Sequence, residues 1–388
     1  MSLLVHSVRK VDADGHVDDF WLVAEGLTIS ATGTGDGWRR HADRVGPQSI
    51  VDGGGHWLTP GFLDLHGHGG GGHAFDDGPA EIQAALAVHR GRGTTRSIVS
   101  LVANPIDSLE RSLAGVADLA ERDPLVLGSH LEGPYLAADR RGAHSLDHLR
   151  DPQPAEVERL LAASRGTLRQ ITIAPELPGA LESIDVLVEA GVTVAVGHTE
   201  AGFEEAREAF TRGARLLTHA FNAMEGIHHR RPGPVVAAME NPLVTLELIL
   251  DGLHVHASVA RLLFAGAPGR VALITDAMAA AGSADGDYRL GDLEVTVRHG
   301  HALLAGTGTI AGSTLTQDAA LRRAIIEVGV PPEVAVDAVT LAPARVLGLE
   351  GRHGLLKPGH VADAVLLDAR WHVLRVWACG AILPTDPA

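Results

Sequence analysis

A single cysteine, Cys379, stands among 388 residues, so no internal disulfide framework is possible and a reducing, cytoplasmic setting is predicted. Positive charge is also short. Against 48 Asp and Glu there are 32 Lys and Arg, a formal net charge of −16, which argues against nucleic acid or an anionic membrane as a partner. A phosphorylated small molecule stays open, because a few local Arg, His and backbone N–H groups are enough to read a phosphate. No apolar run reaches membrane-spanning length, and the first residues, Met-Ser-Leu-Leu-Val-His, lack the charged region, apolar core and cleavage site of a signal peptide. Tyrosine is scarce at 2 while histidine numbers 22, an excess that favours metal or acid–base chemistry.

Hydrophobic content of 45% and charged content of 21% are those of an ordinary globular chain, long enough for a barrel plus a small domain. The terminal stretches read as β. Leu3–Val11, Phe20–Ala24, Leu27–Ala31 and Ser49–Val51 at one end, with Ala362–Leu367 and Val373–Ile382 at the other, predict a small discontinuous β-sandwich domain over residues 1–58 and 355–388. Between them, over 59–354, apolar strands alternate with helical stretches. The predicted strands are Phe62–His66, Thr95–Val102, Leu125–Leu131, Gln170–Ala174, Thr193–Gly197, Arg215–His219, Leu243–Leu250 and Val271–Thr275. Helices rich in Ala, Leu, Glu and Arg separate most of them, such as Ile106–Glu121 and Phe203–Thr211. Eight such units predict an α/β fold, a (β/α)8 TIM-like barrel. A doubly wound open sheet is the alternative. Gly69–Gly72 imitates its phosphate loop, but the Lys and Ser/Thr of a P-loop are missing and no G-x-G-x-x-G opens a helix there.

The barrel sharpens the chemistry, because its active site lies at the C-terminal ends of the strands. The first predicted strand ends in His66-Gly67-His68, whose i and i+2 imidazoles point to one face while Gly67 leaves room beneath an ion. The third ends in Glu132, the fifth in His198, the sixth in His219 and the eighth in Asp276. Singly, a buried His is a hydrogen-bonded core residue as readily as a ligand, and an Asp after a strand is a helix cap. Together, His66, His68, Glu132, His198, His219 and Asp276 form a ligand set of imidazole and carboxylate without thiolate. That set suits one or two catalytic divalent ions, Zn2+ foremost, with Glu132 as the natural bridge. Such ions supply a hydroxide and polarise a carbonyl, and Asp276 is positioned as general base and then general acid.

These residues in this order resemble the amidohydrolase superfamily, and within it the branch that deacetylates N-acetylglucosamine-6-phosphate. The resemblance runs from Pro60-Gly61-Phe62-Leu63-Asp64 to Gly359-His360-Val361-Ala362-Asp363, and its most specific stretches are His130–Tyr135, Val196–Thr199, Leu217–Met224, Asp251–His254 and Thr275–Met278. It implies that Glu132, His198 and His219 hold the principal metal, that His66 and His68 provide a second position, and that Asp276 is the catalytic acid/base. His144 would contact the substrate and polarise its acetyl carbonyl. Asn222 and Ala223 would hold the phosphate, and the segment containing Ile310 and Gly312 would wall the sugar. Arg230 and His254 would reach the phosphate in a neighbouring subunit's site, which implies a homodimer.

The activity so implied is metal-dependent hydrolysis of the acetamide to glucosamine-6-phosphate and acetate. Other amidohydrolase substrates compete, namely the galactosamine epimer, an N-acyl amino acid or a cyclic amide. Cyclic-amide members usually bridge their metals with a carboxylated lysine from strand four, and Gln170–Glu176 contains none. A non-catalytic binding protein on the same fold is the alternative of a different class; the presence of Asp276 beside a full ligand set argues against it.

Overall fold

Alternating apolar segments and amphipathic helices force a parallel sheet wrapped in helices, since each strand needs a crossover to return beside its predecessor. The computed structural model describes residues 2–385. Eight strands follow one another in a single sheet in chain order: β1 (Phe62–Asp64), β2 (Thr94–Val102), β3 (Val126–Glu132), β4 (Leu168–Ile173), β5 (Thr193–Val196), β6 (Leu216–Leu217), β7 (Thr245–Ile249) and β8 (Val271–Ile274). The ladders from β2 to β8 are parallel throughout. Every residue of β2 is buried, as a barrel strand covered on both faces requires. The helix Ile106–Arg122 shows why the outer layer forms where it does: Ile106, Leu109, Leu113, Val116 and Ala117 fall on one stripe at three- and four-residue spacing and are all buried.

The circle is joined just past the strands proper. Gly67 and Ala277 form a parallel bridge, with Asp276 N–H donating to the His66 carbonyl at 2.8 Å and His68 N–H to the Ala277 carbonyl at 2.7 Å. The seam of the barrel therefore lies among the residues that the sequence marks for chemistry. All eight predicted strands are present with ends shifted by a few residues. In proportion to its length β6 is shortened most, two residues remaining of the five predicted, because the chain turns into positive φ at His219.

By its internal contacts the chain divides into two compact units, one made of the chain up to Asp64, Val88–Arg96 and the chain from Gln317 on, the other of Leu65–Ala87 and Ser97–Thr316. In the first, the terminal β segments make a separate mixed sheet, with Trp57–Pro60 antiparallel to Ala364–Leu367 and parallel to Ser2–Asp12. Strict alternation feeds both of its faces: Leu3, Val5, Phe20 and Leu22 enter one apolar cluster, Leu4, Trp21 and Val23 another. A three-stranded antiparallel sheet in the second unit, Gly286–Leu290, Leu293–Arg298 and His301–Leu304, has no counterpart in the sequence reading. Its last turn is a two-residue hairpin with both residues at positive φ, His299 and Gly300.

Within the first unit, Arg96 and Asp363 form a buried ion pair, Nε to Oδ2 at 2.8 Å and Nη2 to Oδ1 at 3.1 Å. The same carboxylate accepts the Cys379 N–H at 2.8 Å. Removing one partner strands a buried charge, so Asp363→Ala is expected to lower the unfolding free energy by about 3–5 kcal/mol, read as a shift in the urea midpoint. Nearby, burial chiefly, together with the positive charges of Arg96 and Arg352 and against Asp363, lowers the His353 imidazole to about 4. Its folded value lies below its unfolded one, so protons favour the unfolded chain once the pH drops under the ordinary histidine value of about 6.5. Stability should fall between that value and about 4, and His353→Gln should flatten that part of a urea-midpoint profile.

Candidate metal centre

Six side chains meet at the C-terminal mouth of the barrel, each placed by the end of its strand. His66 and His68 extend β1, Glu132 is the last residue of β3, His198 follows Gly197 after β5, His219 lies two residues past β6, and Asp276 two past β8. His198, His219 and Asp276 all have positive φ, of 47°, 25° and 47°. Non-glycine residues avoid that region, at a cost of roughly 1–3 kcal/mol each, and hold it where a site demands it. Gly197 and Gly312 make the curls possible. A Cβ on Gly197 would lie 2.6 Å from the Thr218 Cβ, and one on Gly312, itself at φ +64°, would lie 2.9 Å from the Asp276 carbonyl.

The donor atoms converge in two sets, His66, His68 and Asp276, and Glu132, His198 and His219, all buried. In the second set both imidazole Nε2 atoms lie 3.1 Å from Glu132 Oε1 and 3.0 Å from each other. In the first, Nε2 of His66 and of His68 are 3.1 Å apart and lie 3.6 and 3.4 Å from Asp276 Oδ1. Ligands bound at 2.0–2.2 Å in a tetrahedron stand roughly 3.3–3.6 Å from each other; the first set lies close to that spacing and the second, at 3.0–3.1 Å, is a few tenths of an ångström tighter. Glu132 serves both, since its Oε2 is 3.1 Å from His68 Nε2 and its Oε1 3.3 Å from His66 Nε2.

The charges agree with that fit. Burial opposes ionisation of Glu132, but His66 and His144 outweigh it and hold the carboxyl well below the usual range. Asp276 is likewise brought down to about 2 by His66 and His68 against its burial. In return, burial would lower His66 and His68, yet Glu132 and Asp276 raise both, His68 to about 9. Without a cation the carboxylates hold protons on the imidazoles. A divalent ion satisfies the same demand and releases those protons.

Above these residues opens a cavity of about 470 Å³. His144, Asn222, Ala223, His254, Ile310 and Gly312 line it together with His68, Glu132, His198, His219 and Asp276. His144 Nδ1 accepts from the Ala103 N–H at 3.3 Å, so its proton sits on Nε2, 3.2 Å from Glu132 Oε2. Burial keeps that ring below the ordinary histidine value despite Glu132, leaving a neutral donor. His254 is the opposite case: burial would lower it, but Asp251, 2.7 Å from Nδ1, raises it. His254 was expected to serve a neighbouring subunit; within its own chain the loop after β7 carries it onto the wall of this cavity. Arg230 is not among the lining residues. It lies exposed in a turn closed by a bridge between His228 and Arg231. Arg231 reaches Glu225 at 3.6 Å, while Arg230 has no ion-pair partner among the described residues.

Sequence reading missed several contributors. Arg140 and Arg141 line the cavity, as do Leu290 and Thr309 beside the unpredicted sheet. Its signal was available in the alternation Leu293, Val295, Val297 ahead of His299-Gly300. His130 and Glu247, polar residues inside apolar strands, are buried behind the ligands.

The amidohydrolase family profile matches residues 57–381. The N-acetylgalactosamine-6-phosphate deacetylase of Escherichia coli O157:H7 is 40% identical over 98% of this chain and 99% of its own. The N-acetylglucosamine-6-phosphate deacetylase of Vibrio furnissii is 33% identical over 93% and 90%. Among solved structures, a mutant N-acetyl-D-glucosamine-6-phosphate deacetylase from Mycobacterium smegmatis in complex with N-acetyl-D-glucosamine-6-phosphate superposes with a TM-score of 0.92 at 41% identity, covering 99% of this chain and 100% of that one. The Thermotoga maritima N-acetylglucosamine-6-phosphate deacetylase gives 0.88 at 28% identity, over 99% and 100%.

If the two donor sets are separate positions, His198→Asn should remove one ion per chain and leave the one at His66 and His68. Metal analysis of dialysed protein checks this; full metal content in the variant would overturn the ligand assignment.

Proposed function

The chain belongs to the amidohydrolase family, and from that premise we propose that it hydrolyses the acetamide of N-acetylglucosamine-6-phosphate to glucosamine-6-phosphate and acetate. The observation that carries this reading is the convergence of both donor sets on Glu132, with Asp276 facing a cavity large enough for an amino-sugar phosphate. His66 and His68 with Asp276 would hold one divalent ion, and Glu132, His198 and His219 the other; we take the metal to be Zn2+. When bound, it supplies Lewis acidity and an activated water.

The protein's own groups do the rest. Asp276, ionised and buried at the seam, takes the proton of the attacking water and returns it to the leaving nitrogen. His144, with its proton on Nε2, donates to the acetyl carbonyl oxygen as negative charge develops there. The loop from His219 to Ala223 has positive φ at His219, Phe221 and Ala223, the kind of backbone curl whose N–H groups form an anion-binding hollow. Asn222 and Ala223 there, with His254, whose proton Asp251 helps to hold, would bind the phosphate. Ile310 and Gly312 would wall the sugar.

We further propose a cytoplasmic homodimer in which the unpaired Arg230 completes the phosphate contacts of the partner's cavity. We also propose that residues 1–58 and 355–388 make the small β domain and 59–354 the hydrolase barrel.

Acetate release from N-acetylglucosamine-6-phosphate, its galactosamine epimer and unphosphorylated N-acetylglucosamine tests the proposal. The epimer is included because the 40% identical relative is named for it. Strong preference for the phosphorylated glucosamine substrate is expected, and metal-replete protein inactive on it would overturn the reading. Asp276→Asn should cut kcat by about 10²–10⁴-fold while the ion at Glu132, His198 and His219 is kept. Unchanged turnover would remove Asp276 from its role.

A further inference from the structure

One fully buried carboxylate beside the centre has no part in the chemistry above. Glu247 lies in the middle of β7 with no exposure, and its Oε2 is 3.2 Å from His66 Nδ1. Its Oε1 accepts from Gln170 Nε2 at 2.9 Å, and Oε2 also faces the His219 N–H at 3.4 Å. With Gln170 Nε2 and the His219 N–H directed at its two oxygens, the carboxyl group is an acceptor, so in the neutral ring the hydrogen of His66 is placed on Nδ1 and the lone pair on Nε2, the atom that faces His68 and Asp276. The ring has no freedom to turn, being fully buried and edge-on to His130 at 4.6 Å between centroids.

The other imidazoles are held differently. His198 Nδ1 faces the neutral Arg140 carbonyl at 2.8 Å, and Nδ1 of His68 and of His219 have no hydrogen-bond partner among the described residues. Of the four, His66 alone has a carboxylate facing its Nδ1, and that carboxylate lies behind the first donor set.

We infer that Glu247, buttressed by Gln170, is a positioning residue that fixes the His66 tautomer and makes the His66–His68–Asp276 position a competent metal site, so that loading with the second ion depends on it. The inference rests on the divalent-metal reading of the centre. A carboxylate behind a ligating imidazole orients it and raises its basicity, and losing one typically costs 10–100-fold in metal affinity.

The test is Glu247→Gln, which keeps shape and removes charge, with Glu247→Asp, which keeps charge and shortens the reach. Apo proteins are titrated with Zn2+ against a chromophoric chelator, and thermal melting confirms that each variant is folded. Wild type should take up two ions. In Glu247→Gln, affinity at one position should fall about 10–100-fold with the other unchanged, and adding His198→Asn should leave only the weakened position. Glu247→Asp should lie between the two. Two unchanged affinities in folded Glu247→Gln, or equal loss from both positions, would overturn the proposal. Wild type binding a single ion would overturn its two-position premise instead, and that outcome is read before any variant. Wild-type protein that binds two ions yet does not deacetylate the sugar phosphate would count against the proposed substrate and leave Glu247's role standing.

Discussion

Glu132 is a carboxylate buried under five imidazoles, and the mouth of the barrel is arranged around keeping it ionised. Nε2 of His66, His68, His144, His198 and His219 all approach one or other of its oxygens at 3.1–3.3 Å. A buried carboxylate without such partners costs several kcal/mol and takes up a proton instead. Here burial is outweighed, and the negative charge is preserved where a cation can use it. The two donor sets follow from this arrangement. A carboxylate has two oxygens, the histidines from β5 and β6 reach one of them, and His68 from β1 reaches the other.

That convergence is obtained at the expense of regular backbone. The residues that close the barrel are those that carry the donors, so β1 and β8 meet through Gly67 and Ala277, with His66 and Asp276 hydrogen-bonded main chain to main chain. Ser313 N–H grips the Asp276 carbonyl from the other side at 2.7 Å. Held by both neighbours, Asp276 keeps a φ that an isolated aspartate would abandon. His198 and His219 show the same trade at shorter strands: β6 ends after two residues because its third turn of chain is spent aiming His219 inward. Rigidity at the seam and geometry at the metal centre are one property of this fold.

Much of this was legible in the sequence because period and position carry it. Strands read as apolar runs, helices as stripes, and the histidines stood at strand ends, where a barrel places its chemistry. What escaped reading escaped for physical reasons. The sheet from Gly286 to Leu304 is made of short, half-exposed hairpins whose buried residues, Val295 and Val297 among them, share their core with Val102, Met278 and Ala280 outside the sheet. Glu247, Gln170 and His130 each interrupt an apolar strand, and one polar residue in such a run announces a partner without naming it. Spacing along the chain does not tell which cavity a loop faces, so the place of His254 on the wall of its own chain's cavity was not legible either.

The acidity of the chain and the anionic substrate proposed for it are compatible because the cavity carries cationic side chains of its own. A net charge of −16 sets a repulsive field at long range, but that field is screened beyond about 8 Å at physiological ionic strength. Inside the cavity local donors dominate. Glu132 and Asp276 lie among the imidazoles, while Arg140, Arg141 and His254 line the same cavity with Asp139. In the proposed binding mode of an amino-sugar phosphate, the acetamide would meet the carboxylates of the candidate metal centre, and the phosphate would meet cations and backbone N–H groups. A substrate without the phosphate would forgo the second set of contacts, and with it much of the orientation that brings the carbonyl between His144 and Asp276.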